Sequence, residues 1–266
     1  MRRARAGGAS LNLATIRPAA LDRKLAAARA AGFAAVGLAL DEMMEAGEDG
    51  VVEVRLQGLP VSDLVGIRGW MEADRTSRLV GLTRAEQACE LAGKVGCPLL
   101  VAQPSGEEAD ALTAARRFAE LCRLAGRLGV RVGLEFEGGR RGLATLAQAW
   151  EVVELAEADN GGLVVDAFHF YVGGSTVEML EPVPASKLFL VQLCDAPELP
   201  RHELRDRHRL YPGGGVIGLE SLLAALRANG YAGYYSLELE NERYWEEEPE
   251  VVAREGMRAL RKLDIG

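Results

Sequence analysis

Positive charge, paired cysteines, long apolar runs and aromatic residues are all in short supply in this chain. The formal net charge is −8. A surface of that sign repels phosphate backbones, which excludes general nucleic-acid binding. The four cysteines, Cys89, Cys97, Cys122 and Cys194, form no CxxC pair. That spacing excludes a disulfide scaffold and fits a reducing, cytoplasmic compartment. No stretch approaches the run of about 18 apolar residues that a membrane span needs. Arg2, Arg3 and Arg5 make a basic start, but Ser10, Asn12, Thr15 and Arg17 interrupt any apolar segment after it. Residues 1–9 therefore read as a flexible N-terminus and residues 10–266 as one domain.

What the chain does have is apolar bulk and alternation. Hydrophobic residues make up 48% of it, with 31 glycines, a balance that suits close packing of helices on strands. Eight strand-like segments are readable: Ser10–Ala14, Ala34–Leu40, Leu64–Arg68, Pro98–Ala102, Val130–Glu135, Gly162–Asp166, Leu188–Leu193 and Tyr234–Leu239. Helical patterns separate them, over Leu21–Ala31, from a capping box at Thr83 and Glu86 to Val95, and over Glu107–Leu128, Thr145–Ala158, Leu219–Ala228 and Pro249–Leu263. Gly32, Gly96, Gly129 and Gly230 stand where left-handed caps would return the chain to the sheet. The pattern predicts a parallel sheet closed into a (β/α)8 barrel. A doubly wound sheet is the runner-up, but no glycine-rich turn follows the first strand. The least regular stretches, 42–61 and 198–218, both follow strands and belong to the reactive face of a barrel.

Oxygen-bearing residues stand at the ends of four consecutive strands: Glu135, Asp166, Gln192 and Glu238. Three carboxylates at one height repel each other unless a cation joins them. An all-oxygen set suits Mn2+ or Mg2+, with Co2+ compatible and Zn2+ a poorer match. Glu137 and Glu240 lie one pleat further out, on the same faces as Glu135 and Glu238, and are assigned to substrate. His169, three residues after Asp166, is a candidate for proton transfer and substrate contact. His202 and His208 fall in a charged, solvated stretch, from which Arg209 is the candidate for substrate binding. Arg68, at the end of the third strand, is another. Tyr211–Gly215 is a glycine-rich turn that reads as a mobile loop shaping the mouth rather than as a phosphate cradle.

The motifs Gly133-Leu134-Glu135, Val165-Asp166-Ala167-Phe168-His169, Phe189–Pro197, Tyr211–Gly215 and Gly230–Glu238 resemble those of the xylose-isomerase-like barrel superfamily, in particular its sugar phosphate isomerase/epimerase branch. The resemblance implies metal ligation by Glu135, Asp166, Gln192 and Glu238, and substrate contact or proton movement by His169. Many sugar epimerases of the family carry His where this chain has Gln192, whereas Gln resembles the 3-dehydroshikimate dehydratase members. The endonuclease IV branch, which holds three zinc ions on several histidines, is a poor match to a chain with three histidines.

The expected activity is isomerisation or epimerisation of a sugar-like hydroxycarbonyl compound through an enediolate, with Glu135, His169 and Glu238 as catalytic groups. Expulsion of a β-hydroxyl after the same first step would make a lyase acting on a cyclic polyol ketone, such as 3-dehydroshikimate or an inosose. A catalytically silent binding protein on the same scaffold is the reading from another class. The expected partner is a small polyhydroxy carbonyl compound, with no nucleic acid or membrane, and homo-oligomerisation is left open.

Overall fold

The computed structural model describes residues 7–106 and 109–266. Eight parallel strands close on themselves in chain order: β1 (Ala9–Asn12), β2 (Ala35–Ala39), β3 (Val61–Ile67), β4 (Leu99–Ala102), β5 (Arg131–Glu135), β6 (Gly161–Asp166), β7 (Leu188–Leu193) and β8 (Tyr234–Leu237). Closure comes from β1 pairing with β8, where Ser10 stands opposite Ser236. The principal helices outside the barrel are α1 (Leu21–Ala31), α2 (Leu40–Gln57), α3 (Arg75–Val95), α4 (Ala111–Gly126), α5 (Leu146–Ala156), α7 (Leu219–Asn229) and α9 (Pro249–Arg261). Two short helices, α6 (Ala167–Val172) and α8 (Glu242–Trp245), sit on the loops after β6 and β8. This is the (β/α)8 barrel expected from the alternation of patterns.

Two layers of apolar side chains hold it. Inside the barrel, Leu99, Val101, Val164, Phe189 and Leu190 pack with Val65 and Tyr234. Outside it, one continuous cluster joins the other face of the strands to the helices. Strand residues alternate between the two, so the sheet is buried on both faces and its strands read as apolar runs. Buried polar residues on the strands include Ser10, Ser62, Ser236 and Asp63, the last fully buried on β3, opposite Gly37. A Cβ at Gly37 would stand 2.8 Å from Asp63 Oδ2, so only glycine leaves room for that carboxyl. Ser62 donates to its other oxygen at 2.6 Å, and burial pushes the Asp63 carboxyl up to about 6.

The structure corrects several boundaries. Residues 40–57 form α2, where an irregular stretch is expected from position 42. Leu40, Met43, Val51 and Val54 are its buried residues, and Gly47, at φ 57°, kinks it and hides the period. α3 opens at Asp74, whose side chain accepts from Ser77 N at 2.8 Å, and Thr83 lies inside it rather than at its cap. β3 begins at Val61, three residues early, and so carries Asp63 into the barrel. Of the expected flexible N-terminus, residues 1–6 lie outside the described residues, while Gly7 N already bonds Ala232 O at 2.7 Å and Ala9 opens β1. Glu107 and Glu108, expected to open the fourth helix, also lie outside the described residues; α4 is capped by Asp110. The late irregular stretch is confirmed as short 3-10 turns, with one bridge between Asp195 and Leu210.

Candidate metal centre

Parallel strands in register end at a common height, and the last inward residues of β5, β6, β7 and just beyond β8 are Glu135, Asp166, Gln192 and Glu238. Asp166 stands beside Gln192, and Gln192 beside Ser236, two residues before Glu238. All four side chains are buried. Glu135, Asp166 and Glu238 each offer an oxygen within 4.8 Å of the others. Among the described residues, Glu135 Oε2, Glu238 Oε2 and both amide atoms of Gln192 have no hydrogen-bond partner. Buried carboxylate oxygens without donors are costly, and a hard divalent cation is the group that would satisfy them. The donor chemistry therefore fits such an ion.

Two of the four ligand candidates, Asp166 and Glu238, are held from behind. Asp166 caps α6, its Oδ1 accepting from His169 N at 2.8 Å. Asn12, at the end of β1, donates to Glu238 Oε1 at 2.6 Å, while its own carbonyl oxygen accepts from Ala14 N. Thr15 fixes the chain either side of Glu238, donating to Leu237 O and accepting from Leu239 N. Arg209 is buried and bonds Asp166 Oδ2 at 2.6 Å. Its guanidinium also lies 3.9 Å from Glu238, 3.5 Å from His169 Nε2, and over the Phe168 ring.

The electrostatics follow. Burial, then the charge of Asp166, raises Glu135 well above the ordinary carboxylate range. Burial likewise raises Glu238, with Asp166 and Glu135 adding to it and Arg209 opposing. Burial pushes Asp166 the same way and is the largest single influence, but the Arg209 charge and the hydrogen bonds from Arg209 and His169 N together outweigh it and hold Asp166 below the ordinary range. Burial lowers His169, so its imidazole is neutral, and Nδ1 has no partner among the described residues. Burial also raises the Cys194 thiol well above its usual value, which makes it inert although it lies 3.6 Å from Arg209.

A cavity of about 800 Å3 opens above this centre. Glu137 lines it, shared between Arg68 at 2.9 Å and Arg140 at 3.2 Å. Glu240 lines it too, paired with Arg17 at 3.0 Å. Glu135, His169, Arg209 and Glu238 reach the same cavity, whereas Asp166 and Gln192 are fully buried and do not line it. From the charged stretch, Asp206 also lines the cavity, whereas His202 and His208 do not. The glycine-rich turn is tied down by Asp195, whose carboxylate accepts from Gly213 N and Ile217 N; those N–H groups are spent and cradle no phosphate. Asn12, Gln103, Lys24 and Glu42 also line the cavity and have no motif of their own. Only the strand-end position of Asn12 and Gln103 hints at their role.

A family model described as a xylose isomerase-like TIM barrel matches residues 25–263. The chain belongs to this family. An inosose isomerase of Halalkalibacterium halodurans is 35% identical over 172 residues, 62% of this chain and 61% of that protein. A 3-dehydroshikimate dehydratase of Pseudomonas putida is 31% identical over 259 residues, 92% of this chain and 40% of that protein. The chain thus spans about three fifths of the first relative's length and two fifths of the second's. Among solved structures, that of the IOLI protein with a bound zinc atom superposes with a TM-score of 0.89 at 25% identity, covering 96% of this chain and 97% of that one. No helix among the described residues is long and apolar enough to cross a membrane.

Proposed function

We propose that the chain is a divalent-metal-dependent isomerase or epimerase of a sugar-like hydroxycarbonyl compound. One observation carries the reading: three buried carboxylates converge within 4.8 Å, and two of them, Glu135 and Glu238, each keep an oxygen that no donor among the described residues satisfies. Glu135, Asp166, Gln192 and Glu238 would hold the ion. When bound, a divalent ion supplies Lewis acidity to a substrate carbonyl and its neighbouring hydroxyl. The all-oxygen donor set supports Mn2+ or Mg2+, and the zinc of the IOLI structure supports a divalent ion on this scaffold.

The chain's own residues then divide the work. Glu135, Glu238 and neutral His169 are the bases placed to take a proton from the carbon beside the carbonyl. Arg209, charged at every working pH, donates to a substrate oxygen while it keeps Asp166 ionised. The Arg68–Glu137–Arg140 and Arg17–Glu240 pairs present fixed donors and acceptors to hydroxyl groups at the rim. Four buried, unpaired cysteines support a reducing, cytoplasmic setting.

A second reading, the dehydratase, is favoured by the dehydroshikimate dehydratase relative, whose alignment covers 92% of this chain. The two share proton abstraction and differ in what leaves. Mn2+-loaded protein should therefore be offered ketoses, inososes and 3-dehydroshikimate in D2O. Exchange of the substrate C–H without elimination is expected. Growth of an ultraviolet-absorbing product would move the assignment to the lyase. Metal uptake with no exchange on any of them would leave a binding protein.

A further inference from the structure

The metal centre is off-centre in the barrel. Its carboxylates come from β5, β6 and β8, whereas the cavity runs on over the ends of β1, β2 and β3. That far side has a floor of small residues, Ala39 and Gly66 with Val65. Its volume matters. Cavities of about 300–1,000 Å3 enclose drug-sized ligands, and at about 800 Å3 this one exceeds what a single six-membered polyol would fill.

The wall of this far side holds a charged group that the proposed chemistry does not use. Lys24 on α1 is 1% exposed, yet it lines the cavity. Its amine carries three donors, and a single side-chain partner, Glu42 Oε1 at 2.6 Å, takes one of them. A buried ammonium with free donors is costly unless a ligand or water completes it. Glu42 and Glu45 add acceptors beside it, and Arg17 is already spent on Glu240. Acidic groups outnumber the cations on this wall, so a phosphate would be repelled. Fixed donors beside fixed acceptors match vicinal hydroxyls.

We propose that this lobe is a second subsite for a neutral, hydroxylated substituent, with Lys24 and Glu42 as its polar contacts. The preferred substrate would then be a ring ketone that carries a glycosyl or polyol group. The inference rests on the reading of the mouth as a polyol-binding site, and deepens it.

The test separates the two. Mn2+-loaded protein is titrated calorimetrically with myo-inositol and with a galactosyl-inositol, neither of which can enolise, while C–H exchange of an inosose in D2O is followed separately. Galactosyl-inositol is expected to bind at least about 10-fold tighter than myo-inositol, in line with one or two hydrogen bonds to charged groups. K24M and E42Q should each erase most of that ratio, with circular dichroism confirming the fold. E42Q keeps shape and decides the matter if K24M does not fold. Equal affinities, a ratio that both variants leave intact, or a parallel loss of both ligands would overturn the subsite. Absence of inosose exchange would instead sink the proposed reaction and leave the affinity ratio to decide the subsite.

Discussion

Metal binding to this centre is expected to release protons and to tighten steeply as pH rises. Burial first, and Asp166 next, hold Glu135 well above the ordinary carboxylate value of 4.5; burial, Asp166 and Glu135 hold Glu238 there too. Both must ionise to ligate a cation, whereas Asp166 is already ionised beside Arg209. Each proton displaced makes the affinity change about tenfold per pH unit, about 1.4 kcal/mol. Two protons set a limit of about 100-fold per pH unit. The window opens above the ordinary carboxylate range and closes once both raised values are passed. The sign for the metal-free protein is the reverse. A carboxyl with a raised folded pKa adds stability that is complete below its unfolded pKa and is lost as pH climbs through the folded one. The metal-free Tm should therefore fall over the window in which the rise on adding Mn2+ grows. Calorimetric Mn2+ titrations at several pH values, each in two buffers of different ionisation enthalpy, count the protons directly. A pH-independent Kd with no proton release would refute the argument, because it would require Glu135 and Glu238 to be ionised without a cation.

Four further outcomes follow from the same contacts. Glu135→Gln should abolish Mn2+ uptake and turnover, yet leave unfolding in chelator nearly unchanged at a pH where Glu135 is neutral; a variant that binds Mn2+ as tightly as the parent would misplace the site. Asn12→Ala removes the 2.6 Å donor behind Glu238 and should weaken Mn2+ affinity about 10–100-fold, read by the same titration. Arg209→Met leaves Asp166 without its buried partner and should cost about 3–5 kcal/mol in chelator, measured by denaturant unfolding. Asp63, held up to about 6 by burial, contributes stability below its ordinary 3.8 that is lost as pH rises through 6. Asp63→Asn should remove that slope, which amounts to about 3 kcal/mol between acid and pH 8 at roughly 1.4 kcal/mol per pH unit across the interval separating the unfolded and folded values, visible in paired unfolding curves.

The barrel is legible in this chain because its strands are apolar on both faces and several helices stop at a glycine. Gly32, Gly96 and Gly230 each adopt the left-handed conformation, with φ of 88°, 71° and 92°, and each returns a helix to the sheet. The ligand candidates are legible for a related reason. Parallel strands that start in register finish in register, so a polar residue closing an apolar run must face the mouth. What escapes a linear reading is whatever depends on a partner far away in the chain. Glycines and acids break the period of α2, so its burial of Met43 and Val54 shows only against the sheet. Lys24 occupies an amphipathic helix, where a lysine ordinarily faces water; only the arrival of Glu42 from the next helix explains its burial. Arg209 can be chosen from the charged stretch as the substrate-binding candidate, but nothing local shows that it is buried. Its partner there is Asp166, 43 residues earlier in the chain. The pleat and the register place the groups that would hold the ion, while tertiary partners decide which of those groups carry protons before it arrives. That division is why a candidate ligand set can be read in one dimension, whereas its proton inventory, on which metal affinity would turn, needs three.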